Sequence, residues 1–412
     1  MNNVLPGFID SLPERDASRE RIRMPQAAEV IVVGGGLMGL ATAYHLARDG
    51  RRVLLLEARG IGHQDGSSHG PSRIIRLTYQ SEDYIALARA SFALWRVLGE
   101  EAGEPLLVQC GGLDFGPPEA TNLAALGQAM TRAGVAHEAL DADEIRRRFP
   151  LLTPPDDVVG FYQADYAMLP ADRCIELLAA GARAAGADVR EHEPVLAVTP
   201  SGGGVEVRTG AATYRADSAV LANGSWIGPL AAALGVPLPL TVLKEQLAYF
   251  EPADPAEFVP GRFPLFIHRF PGSRTFGSAF PLLGEPPGVK VLLDRLGPVV
   301  APGDSDRTIE ADLLARLERY AAGMVRGLTG RVLAATSCRY TLTPDEDFII
   351  DTHPEHPQIA IASACSGHGF KFGIEIGRIL AALALGQAPG SDLERFRLGR
   401  PSLTGAWRND NV

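Results

Sequence analysis

Val30-Ile31-Val32-Val33-Gly34-Gly35-Gly36-Leu37-Met38-Gly39 is the stretch on which the fold turns. Four β-branched apolar residues in a row read as a strand buried on both faces. Residues 40–48 then carry helical spacing, and Gly50 closes that helix as a C-cap. A second apolar strand, Val53-Leu54-Leu55-Leu56, ends in Glu57. The whole is a strand, a Gly-x-Gly-x-x-Gly turn, a helix and a strand with an acid at its end. Each part has a physical task. Gly34 permits the tight turn, Gly36 lets backbone amides approach a pyrophosphate, and Gly39 allows close packing of helix on strand. The helix N-terminus supplies positive potential, and Glu57 can accept a ribose hydroxyl. Leu37, Met38 and Ala58 flank these positions and join the expected cofactor contacts. The motif predicts a Rossmann-like dinucleotide site without saying which dinucleotide.

The rest of the composition narrows the class. The chain has 412 residues, enough for two or three domains at roughly 150 residues each. It is 46% hydrophobic and 21% charged, as soluble globular proteins are. Lys and Arg number 39 against 49 Asp and Glu, a net charge of −10 that disfavours a generic nucleic-acid binder. Cys110, Cys174, Cys338 and Cys365 form neither a CxxC pair nor a disulfide framework. Residues 1–28 are polar and arginine-rich without an apolar core, which predicts a loosely docked extension and no secretory signal. No apolar run approaches the length of a membrane span. A cytoplasmic monomer with no membrane or nucleic-acid partner is the expectation.

Further along, the spacing predicts helices over 81–102, 118–134, 171–186, 308–325 and 372–385. Strands are expected at 188–190, 195–199, 205–208, 219–222 and 359–362, with an antiparallel sheet from the Pro- and Gly-punctuated stretch 240–300. His353 and His356 flank a proline and an acid, which reads as a loop and not a metal site.

Three further segments carry a resemblance. They are Gly66-Ser67-Ser68-His69-Gly70-Pro71-Ser72-Arg73-Ile74-Ile75-Arg76, Cys338-Arg339-Tyr340-Thr341 with Pro344-Asp345-Glu346-Asp347-Phe348-Ile349-Ile350-Asp351, and Ser366-Gly367-His368-Gly369-Phe370-Lys371-Phe372. With the Gly-rich start they resemble, in order over about residues 29–400, the monomeric sarcosine oxidase and N-methyltryptophan oxidase family of D-amino-acid-oxidase-like flavoenzymes. The resemblance implies FAD, joined covalently to Cys338. It implies Arg76 and Lys371 as the pair holding a substrate carboxylate, Arg73 as a flavin-facing arginine, and Lys290 as the cation beside flavin N5 where dioxygen is reduced. Tyr340 would line the substrate pocket. Gly367, His368, Gly369, Phe370 and Lys371 would stabilise charge on the reduced flavin. Ser67, His69, Ser72, Val195, Gly224 and Trp226 would complete the cofactor contacts.

Two positions depart from the family's sarcosine-type pattern. Asp294 stands where those members have histidine, and Phe276, with Phe280 beyond, stands near their pocket tyrosine. The acid points to a substrate amine paired with Asp294, or to a solvated loop acid. The phenylalanines point to a bulkier or flatter substrate.

The implied fold is α/β. A discontinuous Rossmann-like FAD domain (29–106, 166–241, 345–390) carries an antiparallel-sheet substrate domain (107–165, 242–344) and a C-terminal tail, 391–412. The implied activity is FAD-dependent oxidation of a carboxylate-bearing secondary or cyclic amine, or an amino acid, to an imine, with O2 reduced to H2O2. A same-fold dehydrogenase with another acceptor, an NAD-dependent reductase and a non-catalytic flavin-binding module are the rival readings.

Overall fold

The computed structural model describes residues 28–120 and 123–407. The expected N-terminal extension therefore lies outside the described residues, except Ala28, which opens the first strand, Ala28–Val33. That strand sits between Val53–Leu56 and Thr213–Leu221, parallel to both. Asp188–Arg190 adds a parallel strand outside Val53–Leu56, and Ile359–Ser363 adds another beside Thr213–Leu221. Antiparallel strands Val195–Ser201, Gly204–Thr209 and Ile349–Thr352 complete an eight-stranded sheet. The register aligns Val33 with both Leu56 and Leu221, and Leu221 with Ile361. The C-terminal ends of four parallel strands therefore meet at one edge, where open α/β sheets bind ligands.

Helices Leu37–Arg48 and Gly373–Ala384 cover one face of this sheet together. They cross closely because Gly377 has no side chain; a Cβ there would lie 2.4 Å from Ala41 Cβ. The 171–186 expectation appears as Ala171–Ala184, 81–102 as Glu82–Ala102, and 308–325 as Ala311–Met324.

A nine-stranded sheet is built from segments between residues 112 and 163 and between 241 and 342. Thr241–Pro252, Val289–Leu293, Phe276–Phe280 and Leu265–Arg269 run antiparallel to one another, as the Pro- and Gly-rich stretch implied. Leu265–Arg269, however, also pairs in parallel with Gly112–Gly116. The longest strand, Leu328–Leu342, was not anticipated; it follows Thr241–Pro252 along nearly its whole length. A small third sheet joins Arg73–Ile75, Ala167–Leu169 and Val108–Gln109. The C-terminal segment is anchored: Phe396 is fully buried, Arg400 pairs with Asp345 at 2.7 Å, and Trp407 donates to Glu346 at 2.9 Å. Among the described residues no helix is long and apolar enough to cross a membrane.

Candidate active site

At the strand ends, Gly34 adopts φ +105°, and a Cβ there would sit 2.7 Å from Asn223 Cα. Gly39 allows helix Leu37–Arg48 to start against the turn, since its Cβ would lie 1.9 Å from Gly34 O. Around Gly36, by contrast, there is room; the nearest obstacle is Ser68 Oγ at 3.4 Å. The turn is fixed by Glu57, whose two oxygens accept from Gly35 N at 2.6 Å and Arg59 N at 2.7 Å.

From this turn a cavity of about 610 Å³ runs between the two large sheets. At one end it is lined by Gly34, Gly36, Leu37, Met38, Glu57, Ala58, Val195, Gly224 and Trp226, with Arg59 4.6 Å above the Trp226 ring. In its middle lie Ser67, Arg73 and Cys338. Phe276, Phe280, Lys290, Tyr340, Arg76 and the 367–371 turn close the other end. FAD fits the chemistry of these walls. Asn223 Oδ1, Thr341 Oγ1 and Ser363 Oγ are buried, unpartnered and on the cavity wall. A buried polar atom without a partner is costly and calls for a ligand that supplies one. Together with the open cradle at Gly36, they suit a long dinucleotide rich in acceptors and hydroxyls.

The second glycine turn is built by close contact. A Cβ on Gly367 would meet the Tyr340 ring at 2.8 Å, and one on Gly369 would lie 1.8 Å from Ala364 O. The Phe370–Phe372 turn then leads directly into helix Gly373–Ala384. This brings Lys371 inward, its backbone carbonyl held by Trp95 Nε1 at 2.8 Å and its ammonium donating to His368 O at 2.6 Å. Burial, reinforced by Arg76 and Arg73, pushes the Lys371 pKa well below the ordinary lysine range.

Arg76 and Lys371 flank one ring, 4.4 Å and 5.6 Å from the centre of Tyr79. The two cations differ in how they are compensated. Arg76 Nη1 donates to Thr78 Oγ1 at 2.5 Å, and Thr78 Oγ1 donates to Asp114 Oδ2 at 2.7 Å. Asp114 also accepts from Tyr166 and, at 2.8 Å, from Arg269, and lies 3.7 Å from Arg76. Burial opposes the charge on Arg76, but Asp114 raises its pKa above the usual value. Burial likewise opposes the charge on Asp114, while Arg76 and Arg269 hold its pKa below the usual carboxylate value. Lys371, by contrast, makes no ion pair with a carboxylate among the described residues, and its ammonium is hydrogen-bonded only to the His368 carbonyl.

Arg73 is locked in place, donating to Ser72 O, Ser67 O and His69 O, with its guanidinium 5.6 Å from the Phe370 ring centre. Lys290 donates to Ser72 O at 2.9 Å and lies 4.4 Å over Phe280. Its pKa is pushed well down, by burial first and Arg73 next. Burial pushes the Cys338 thiol up to about 11, against the pull of Arg73.

Four expected site residues stand off the cavity wall. Gly39 acts through packing. His69 and Ser72 lend backbone carbonyls to Arg73, and Ser72 also to Lys290. Asp294 is the correction. It is neither solvated nor turned to the pocket; it is fully buried, and its carboxylate is ion-paired with the adjacent Arg295. Arg295 in turn bridges to Glu346 at 2.7 Å. The reason is backbone direction, since Asp294 N bonds Phe276 O at 2.9 Å and Arg295 takes φ +60°.

Besides Glu57, the acid that faces the cavity is Glu245, on the neighbouring strand. Its Oε2 has no partner, and burial lifts its pKa to about 7. Three consecutive polar residues, Lys244, Glu245 and Gln246, between the apolar pairs Val242-Leu243 and Leu247-Ala248 were the signal for it. Ser278, between Phe276 and Phe280, also lines the cavity with an unpartnered hydroxyl.

A parallel sheet with a dinucleotide cradle and a cation-lined catalytic end defines a nucleotide-dependent oxidoreductase. Comparison with known proteins makes that specific. Residues 29–383 match the FAD-dependent oxidoreductase model of the D-amino-acid-oxidase type, and the chain belongs to that family. It is 36% identical over 367 residues to a monomeric sarcosine oxidase of Streptomyces avermitilis, covering 88% of this chain and 94% of that one. It is 33% identical to an N-methyl-L-tryptophan oxidase of Salmonella arizonae, covering 90% and 98%. Among solved structures, the open form of NikD, an unusual amino acid oxidase essential for nikkomycin biosynthesis, superposes with a TM-score of 0.80 at 28% identity, over 90% of this chain and 97% of that one.

Proposed function

We propose that the protein oxidises the C–N bond of a carboxylate-bearing secondary or cyclic amine, or an amino acid, to an imine, with dioxygen reduced to hydrogen peroxide. The observation that carries this is the pairing of Arg76 and Lys371 about Tyr79 within the cavity that also holds the dinucleotide cradle. A guanidinium fork and an unpaired ammonium match the two oxygens of a carboxylate, and burial strengthens the attraction. FAD, when bound, supplies the two-electron acceptor. Arg76 and Lys371 fix the acid group and so orient the α C–H. Phe276, Phe280, Ile267 and Leu292 exclude water and favour a substrate bulkier than sarcosine. Lys290, held by Ser72, keeps a cationic site beside which reduced oxygen is stabilised. In this reading the flavin is attached to Cys338, and the enzyme works as a cytoplasmic monomer.

The test is an anaerobic panel of N-methyl amino acids, proline-like and piperidine-like acids, free amino acids and the matching methyl esters. Carboxylates with a ring or large side chain should bleach the flavin band, and their esters should not. Admitting air should restore the colour and yield one peroxide per turnover. Equal bleaching by acids and esters would overturn the carboxylate assignment. Efficient bleaching by sarcosine at low concentration would overturn the assignment of a large substrate.

A further inference from the structure

We infer that Glu245 is the proton acceptor for attachment of the flavin to Cys338. This rests on the reading that FAD is carried at that cysteine. Glu245 and Cys338 are direct register partners on adjacent antiparallel strands, and both line the cavity. Side chains so placed have Cβ atoms about 4.5–5.5 Å apart on one face of the sheet. The thiol needs such a partner, because burial in this wall keeps it protonated. A thiol is a poor nucleophile until its proton leaves.

The cavity offers only two carboxyl groups among the described residues, Glu57 and Glu245. Both oxygens of Glu57 are taken by the amides of Gly35 and Arg59. Glu245 is 2% exposed, and its Oε2 has no partner at all. Its Oε1 accepts a long hydrogen bond, 3.4 Å, from Gly297 N, and the neighbouring amides of Leu296 and Arg295 partly offset the effect of burial. A carboxyl group with its pKa near 7 is basic enough to take a proton and acidic enough to release it.

The step balances as follows. Cys338 loses its S–H proton to Glu245, one C–H of the flavin 8-methyl group breaks, and the C–S bond forms. Glu245 passes the thiol proton on to the flavin, which keeps it with the methyl proton and the two electrons and is left reduced. Dioxygen then takes them as hydrogen peroxide and restores the oxidised ring. Arg73 and Lys290, both cationic neighbours of the thiol, favour its anionic form during transfer.

The test is reconstitution of full-length apoprotein, prepared under riboflavin limitation, with FAD in air. Covalent flavin is followed as fluorescence on denaturing gels and as the mass of the Cys338 peptide, so no substrate turnover is involved. Wild type should acquire covalent flavin and Cys338→Ser only dissociable flavin. Glu245→Gln should bind FAD yet attach it about a hundredfold more slowly. Glu245→Asp should fall between them, and formate should accelerate attachment in Glu245→Ala. Attachment in Glu245→Gln at the wild-type rate overturns the role of Glu245 while leaving the Cys338 linkage intact. A yellow wild-type protein that loses all its flavin on denaturation overturns the linkage, and the inference with it.

Discussion

Replacing Asp114 with asparagine removes the one carboxylate between a buried guanidinium, Arg76, and a half-buried one, Arg269. Its partners are Arg269 at 2.8 Å and Arg76 at 3.7 Å. At an effective dielectric of about 20 these attractions are about 6 and about 4 kcal/mol before desolvation is counted. Burying the carboxylate offsets several kcal/mol of this, so a net loss of about 3–5 kcal/mol is expected, as when one partner of a buried ion pair is deleted. The sign with pH follows from the lowered pKa of Asp114. Its stabilisation is complete above the unfolded-state value of about 3.9 and disappears as pH falls through the lower folded-state value. Urea unfolding at pH 7 should therefore separate wild type from Asp114→Asn by several kcal/mol, and the gap should close only below about pH 4. KM for the carboxylate substrate should also rise about tenfold with kcat little changed, because Arg76 loses the Thr78–Asp114 support that aims it. A loss below about 1 kcal/mol at pH 7, or a gap unchanged down to pH 3, would refute the proposition that this network holds the arginine.

Three other outcomes are expected. Lys371, a buried lysine with depressed pKa and no carboxylate beside it, should gain protonation when a carboxylate ligand arrives. Calorimetry of an unreactive aromatic acid across a pH series, in buffers of differing ionisation enthalpy, should therefore show proton uptake on the alkaline side, and proton release would contradict the assignment. Lys290→Met should leave anaerobic flavin reduction nearly intact and slow reoxidation by dioxygen by about a hundredfold or more, read by stopped-flow absorbance; equal reoxidation rates would remove Lys290 from that step. Gly369→Ala should abolish FAD retention, since its methyl would collide with Ala364 O at 1.8 Å; a yellow, stable variant would show that the turn is more plastic than its geometry implies.

What the sequence disclosed and what it hid follow one division. The Gly34–Glu57 unit was legible because its constraints are local: a strand, a turn that only glycine fits, a helix and an acid all lie within one short segment. The 366–372 turn was legible for the same reason. Leu328–Leu342 was missed because Thr329, Gly330 and Arg331 blur any alternation, and its stability comes from pairing with a strand about 90 residues earlier. Asp294 was read as a pocket acid or a solvated loop acid; it is instead buried and paired with the adjacent Arg295, which Glu346, 51 residues on, holds from its other side, a contact no local pattern discloses. Glu245 was overlooked because the polar triplet Lys244-Glu245-Gln246 marks an unusual strand but does not say which of its faces meets a cavity.

The division of labour around the cavity has an evolutionary consequence. Of the groups proposed to grip the acid, Lys371 sits in the turn that opens a helix of the nucleotide-binding sheet and Arg76 follows a strand of the small third sheet, whereas Phe276, Ser278, Phe280 and Leu292 belong to two adjacent strands of the nine-stranded sheet. Mutation can thus recut the shape of the accepted molecule on one side without loosening the handle by which every such molecule is held on the other. A lineage built this way can drift from one amine to the next through single side-chain exchanges while its chemistry stays constant.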